Sequence, residues 1–345
     1  MAKMVGRNGA VTEQDKLEFL KSSGSTFGTV GADAERIQRD PGNGHYSVTE
    51  TYWFEILVPS SNVVAHVYVY MRPNLSMCSA GVWISRGFSE HPLQMDHFNY
   101  QAALPMPREE GNTIHVSEIG LKVTIIEPLK RFDITYEPPK SNVRVVLSAQ
   151  AAMAPAVRNT GKHFNQFMHY TGSISLGAET IKVDDISMRD RSWGEPRVED
   201  SSLAPITSWA SGFLKDKQIA FNFIGFDDPK YEVEWAGIYP IPSDQALMDG
   251  WYLENGQLTK IVRMSKRSVR DPRHRMAPSS VQVEFDDAAG RTHHLLGKTR
   301  AACWMQNWPN VYVWLPLMEW DLDGVKGWGD CQEYLWADYA KRFWR

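Results

Sequence analysis

From Tyr46 onward, apolar and polar residues alternate with a period of two through SVTETYWFEILV, NVVAHVYVYMR and SAGVWISRG, each run bounded by Pro, Ser, Asn or Gly. Such alternation predicts half-buried strands, and the bounding residues predict the turns between them. The same grammar continues through TIHVSEIGLKVTIIEP, RFDITYEPP, NVRVVLSAQAAM, His163 to Tyr170 and Ser173 to Leu176. After Pro196 and a polar stretch it restarts with TSWASGFLK, KQIAFNFIGF, EVEWAGIYPI, GQLTKIVRMS, SSVQVEFDD, THHLLGKTRAACWMQ and NVYVWLPLMEW. Many short strands at regular spacing predict antiparallel sheets that curl or close. Trp53 and Trp209 each open a strand followed by a short turn and another strand, a sign of duplicated β-domains. The predicted organisation is a strap over residues 1–45, a β-domain over 46–200 and a second over 201–345. Helix is predicted over Glu13 to Lys21, and over Asp330 to Trp344, where Tyr334, Leu335, Tyr339, Phe343 and Trp344 approach a helical stripe.

Charge narrows the partners. The 345 residues carry 41 acidic and 37 basic side chains, and no Lys/Arg run is long enough to act as a footprint for nucleic acid. The densest basic stretch, Lys266 to Arg275, contains a Pro and an Asp and reads as a solvated loop. No secretory core and no apolar run of membrane length is evident, so the expectation is a soluble, cytoplasmic protein. Cys78, Cys303 and Cys331 are too few and too scattered for a disulfide framework or a zinc cluster, and are expected to be reduced and packed. The 13 Trp, 13 Tyr and 14 Phe exceed what a core alone needs, and suit an apolar pocket or a sugar-stacking platform.

No phosphate loop, dinucleotide fingerprint, HExxH or nucleophile elbow occurs, so no cofactor and no metal is expected. The stretch DDISMRDRSWGEPR, residues 184–197, looks like a strand that delivers charge to its own end. Asp190, Arg191 and Trp193 there offer an acid, a fixed cation and a flat apolar wall. The same residues equally suit a structural corner. On the segment HFNQFMHY, strand alternation places His163, Asn165, Phe167 and His169 on one face and Gln166, Met168 and Tyr170 on the other. His163 and His169 stand too far apart along a strand to share one metal. His97 and Trp83 add a second histidine locus and an aromatic wall, while His293 and His294 face opposite ways. Asp330 and Glu333 are available as a helix cap and its partner, or as carboxylates for chemistry.

The strand ending in RDRSWGEPR (189–197), preceded by HFNQFMHYTGSISLGAETIKVDD (163–185), resembles the signature of the carotenoid 1,2-hydratase or hydroxyneurosporene synthase superfamily. That superfamily includes kievitone hydratase and lipocalin-like pericyclases. The ending GWGDCQEYLW (327–336) is similar to that of bacterial relatives of the group. The resemblance implies an all-β fold of two lipocalin-like antiparallel β-barrel or half-barrel domains with a short C-terminal helix. It also implies cofactor-free hydration, dehydration or cyclisation of apolar isoprenoid or polyketide molecules. Arg191 stands where several relatives carry His, and because Arg does not deprotonate, this departure weakens a proton-shuttle role for position 191.

The expected function is thus a cofactor-free lyase or isomerase acting on a terpenoid-like or polycyclic apolar substrate, with homo-oligomerisation left open. The catalytic candidates are Asp190, Glu333, His169 and Tyr170. The substrate-binding candidates are Arg191, Trp193, Trp304, His163, His97 and Trp83. A non-catalytic carrier of an apolar molecule is the alternative, and a carbohydrate-binding sandwich a third reading.

Overall fold

The computed structural model describes residues 29–38, 44–158, 161–197, 205–231, 246–308 and 310–341. The predicted helix over Glu13 to Lys21 and the predicted strand EVEWAGIYPI lie outside these residues. Two compact units share the chain. One takes Thr26–Arg86 and Met95–Arg197, the other Gly87–Gln94 and Val198–Arg345.

In the first unit, β1 (Val48–Val58), β2 (Val63–Arg72) and β3 (Met77–Arg86) follow one another as antiparallel neighbours, as their alternation predicts. The chain then leaves for a two-residue strand, β4 (Phe88–Ser89). It returns for β5 (His97–Pro105), β6 (Arg108–Glu110), β7 (Thr113–Val116), β8 (Leu121–Glu127), β9 (Arg131–Tyr136), β10 (Val143–Ala151), β11 (Ala156–Val157), β12 (His163–Leu176) and β13 (Glu179–Pro196). The order is β5-β3-β2-β1-β13-β12-β10-β9-β8-β7-β6, with β11 on β12, an open and curled sheet. Its concave face holds aliphatic side chains such as Ile56, Val67, Val82, Val123, Ile134 and Leu147. A short 3-10 turn, Ala32–Glu35, belongs to this unit, and Ala34 and Glu35 are buried in it.

The second unit contains β14 (Thr207–Leu214), β15 (Ile219–Phe226), β16 (Leu247–Glu254), β17 (Gln257–Asp271), β18 (Ala277–Asp287), β19 (Thr292–Trp308), β20 (Val311–Leu322) and β21 (Val325–Trp336). Every sequential pair is antiparallel, β15–β16 across a longer connection, and β14 pairs β21. Because β18 also pairs β19, the eight strands close into a barrel, which leaves no free edge except where β4 adds in parallel to β19. Trp320 fills the barrel interior and donates its indole N–H to the carbonyl of Ser211 at 2.9 Å. Gly297, opposite Trp320 in the register, makes this fit, since a Cβ there would sit 2.2 Å from the ring. The three cysteines are buried and form no disulfide among the described residues.

Two expectations fail in this unit. Asp330 to Trp336 is strand, not helix, and Ala337–Ala340 (α1) is helical, while residues 342–344 of the predicted helix lie outside the described residues. Tertiary pairing decides: β21 lies between β14 and β20, with Cys331, Glu333 and Leu335 buried on the barrel side. The basic stretch from Lys266 is not a solvated loop either. Residues 266–271 continue β17, and Lys266 and Arg270 are buried inside the barrel with Asp227 and Glu333.

Candidate functional site

The residues of the SWG element divide by strand parity. On β13, Arg189 and Arg191 stand opposite Phe54 and Tyr52 of β1, on the concave side, so Asp190 and Ser192 face the other way.

The inward arginines are structural. Arg189 clasps the Glu35 carboxylate with two N–H donors, at 2.6 and 3.1 Å, donates its Nε to Gln166 at 2.9 Å, and lies over the Phe132 ring. Arg191 donates to the carbonyls of Ala34, Arg36, Thr51 and Ser192 at 2.7–3.1 Å and pairs with Glu50, while its guanidinium stacks 4.0 Å from the Tyr52 ring centroid. Tyr52 completes the clasp by donating its hydroxyl to the Glu35 carbonyl at 2.8 Å. All of these side chains bind the 3-10 strap to the sheet. Trp193 joins them, at 5.2 Å from Arg191 and edge-on to Phe164. Burial with an unneutralised neighbour would be prohibitive for such cations, which is why each meets a carboxylate.

The opposite face carries a second set of titratable groups. Asp190 lies directly across from Trp53 on β1 and Asn165 on β12. His163, one step diagonal, brings its Nε2 to 2.6 and 2.9 Å from the two carboxylate oxygens of Asp190. The pair is nearly but not fully buried, 13% exposed for His163 and 10% for Asp190. Burial lowers the basicity of His163 below the ordinary histidine range, and the Asp190 charge opposes this only in part. Beside it, Asn165 is 1% exposed, and among the described residues its Nδ2 finds no hydrogen-bond acceptor. Ser192 is tied up by Thr51 at 2.7 Å and Arg197 at 2.9 Å.

From Asp190 an aromatic floor runs across β1, β2, β3 and β5. Trp53 stands edge-on to Tyr68 with ring centroids 5.0 Å apart, and 4.6 Å from His66. Tyr68 stacks on Tyr100 at 6.3 Å, and His66 stacks on Trp83 at 5.3 Å. Gly81, between Tyr68 and Tyr100 in the register, keeps this spacing open, because a Cβ there would come within 2.2 Å of the Asn99 carbonyl oxygen.

The other residues singled out by sequence fall elsewhere. Tyr170 is fully buried on the concave side, where burial raises its phenol above its ordinary value. His169 shares a strand face with His163 but sits far along it, exposed and paired with Asp184 at 2.8 Å. His97 turns to the concave side and meets the Tyr136 hydroxyl at 2.7 Å. In the second unit, Trp304 stacks on Tyr312 with Arg275 over its ring. Glu333 there accepts from Arg270 at 3.0 Å and Ser268 at 2.7 Å. Of the named candidates, Asp190, His163 and Trp83 share one face. Trp53, His66 and Asn165 are not among the named candidates; the register puts Trp53 opposite Tyr68 and His66 opposite Glu55. Among the described residues no three His, Cys, Asp or Glu side chains gather as a metal-binding set.

Residues 32–338 match the model of a family described as a domain of unknown function, DUF7064. The chain belongs to the DUF7064 family. Two solved structures resemble this DUF7064 chain along nearly its whole length. One is described as an AttH protein from Nitrosomonas europaea, with TM-score 0.57, 13% identity, and 90% of this chain and 98% of that one covered. The other is kievitone hydratase from Nectria haematococca, with TM-score 0.54, 10% identity, and 91% and 98% covered. At such identities the likeness is one of fold alone. No curated protein sequence matches the chain. Among the described residues no helix is long and apolar enough to cross a membrane.

Proposed function

We propose that this protein is a lyase that adds or removes water at an alkene of an apolar, polycyclic or terpenoid-like substrate, with His163 and Asp190 as its acid–base pair. The observation that carries the reading is the 2.6 Å contact between these two groups, placed at the edge of an aromatic floor beside the Asn165 Nδ2, which has no hydrogen-bond partner among the described residues. A carrier has no need of a proton-sharing pair at the end of its apolar surface. The fold shared with kievitone hydratase is compatible with this class of reaction and does not choose the substrate.

With its basicity lowered by burial, His163 is neutral near pH 7 and the pair begins as a base. In hydration it removes a proton from water as the water oxygen bonds to one alkene carbon. The π electrons take that proton back from the pair at the neighbouring carbon, so the pair is restored. Dehydration is the reverse: the pair takes a C–H proton and delivers it to the departing hydroxyl, which leaves as water when the C–O bond breaks. The Trp53 ring beside Asp190 lies along the apolar skeleton of the substrate, and the Asn165 Nδ2 donor holds the oxygen. Arg191, Tyr170, Trp193 and Glu333 act in packing under this reading. Cyclisation by the same pair is the finer alternative within the class.

The test is Asp190→Asn with His163→Gln. Each should fold, and turnover should fall by roughly 10²–10⁴, the usual contribution of positioned acid–base groups. In the wild type, kcat/KM should decline on the acid side with a midpoint below 6.5, because protonated His163 no longer accepts a proton. A folded, fully active Asp190→Asn protein would remove the pair from the mechanism.

A further inference from the structure

The far end of the aromatic floor holds a second set of polar groups that the proton chemistry does not use. His66 and Trp83 are fully buried, stand opposite each other on β2 and β3, and stack at 5.3 Å. Among the described residues, neither ring nitrogen of His66 nor the indole Nε1 of Trp83 has a hydrogen-bond partner. The nearest carboxylate oxygen to His66, on Glu55, is 3.6 Å away, beyond hydrogen-bond reach. Leaving a buried polar group unsatisfied typically costs about 1–3 kcal/mol, so three such atoms in one place call for a partner that is not protein.

We infer that His66 and Trp83 form an oxygen-recognition subsite, which takes a hydroxyl or carbonyl group on the end of the substrate remote from the reacting carbon. The inference rests on the reading above that this face binds the substrate. The chemistry of the two rings defines the ligand. Indole N–H is a donor only, whereas a neutral imidazole offers one donor and one acceptor. Burial pushes His66 down to about 3, so the ring is neutral across the physiological range and offers both. A hydroxyl oxygen satisfies the set best, accepting from Trp83 while its proton goes to His66. A charged carboxylate or phosphate does not fit, since the Glu55 carboxylate already stands 3.6 Å from His66 and would repel it.

Geometry sets the length of the substrate. From Asp190 on β13 to Trp83 on β3 the sheet crosses three strand spacings of roughly 4.8 Å, and Trp83 lies two residues, about 6.6 Å, along its strand from the row of Asp190, about 16 Å in all. Trp53 and His66 tile the distance with ring faces. The substrate class is therefore an extended, flat, apolar ring system with a hydroxyl or carbonyl at the end away from the alkene.

Paired probes test this: phenanthrene and 2-phenanthrol, which differ in one terminal hydroxyl, with binding read by quenching of protein tryptophan fluorescence. The wild type should bind the phenanthrol about tenfold more tightly, the worth of one or two net hydrogen bonds. His66→Phe keeps a ring in the stack and removes both nitrogens, and it should reduce this preference to less than twofold with phenanthrene affinity nearly unchanged. Trp83→Phe is the second variant, and melting curves establish that each is folded. Equal binding of the two probes by the wild type, failure of both to bind, or a preference that survives in both variants would overturn the subsite. Asp190→Asn separates this from the catalytic reading: if turnover persists in that variant while the phenanthrol preference is as stated, the acid–base pair is wrong and the subsite stands.

Discussion

Replacing Arg191 by Met removes the cation that binds the strap to the first sheet while keeping a long apolar stem. The Glu50 carboxylate then remains buried, 1% exposed, without its counter-charge, and the carbonyls of Ala34, Arg36, Thr51 and Ser192 lose a donor. Breaking a buried ion pair from one side typically costs about 3–5 kcal/mol, a large part of the stability of an ordinary domain. The loss should depend on pH with a definite sign. Burial already raises Glu50 above its ordinary value, with Arg191 the chief opposing influence, so the variant raises it further. A carboxyl whose folded value exceeds its unfolded value favours the folded state at low pH, and that contribution disappears as pH climbs through the folded value. Arg191→Met should therefore be most costly above pH 7 and least costly near pH 4.5, and adding Glu50→Gln should recover part of the loss at neutral pH. Denaturant unfolding at several pH values reads this, following the transition of the first unit because the two units need not unfold together. A loss under about 1 kcal/mol, or one independent of pH and additive with Glu50→Gln, would refute the clasp.

Other expectations follow from the same geometry. His66→Phe should flatten the fall of stability on acidification: a histidine with a lowered folded value loses stability as pH drops below about 6.5, by at most about 1.4 kcal/mol per pH unit, and a smaller slope in the variant is the check. Glu333→Gln should weaken the barrel by roughly 3–5 kcal/mol, lowering the melting temperature by on the order of 10 °C, because it breaks a fully buried network with Arg270 and Lys266. Gly297→Ala should cost about 1–3 kcal/mol or more by forcing its methyl into the Trp320 ring, and an unchanged melting curve would contradict the packing described.

The strands of both units were legible where only one face of a strand is polar, as in β8 or β10, since alternation then reports burial directly. It failed on β17 and β21, where Lys266, Arg270 and Glu333 point inward and satisfy one another across strands far apart in sequence. No local pattern reports such pairing. Asp190 was legible from the charge placed at the end of a strand, and His163 from its parity with Asn165. Their contact was not, because it depends on the register between β12 and β13. Trp53 and His66 escaped because β1 is buried on both faces, so its outward residues looked like core.

The alternation along β13 also bears on how this family diverges. Under the proposed function, neighbouring residues of the SWG element answer to different selective pressures: 189 and 191 to the strap, 190 to the reaction. Column 35 should therefore covary with 189 and column 50 with 191 across homologues, whereas 163 and 190 should change together or not at all. Where a relative carries histidine at 191, its shorter side chain cannot reach so many acceptors, and the strap residues and Glu50 should be the ones that differ. Insertion or deletion of a single residue within the element would exchange the two sets of columns and should be absent from functional members.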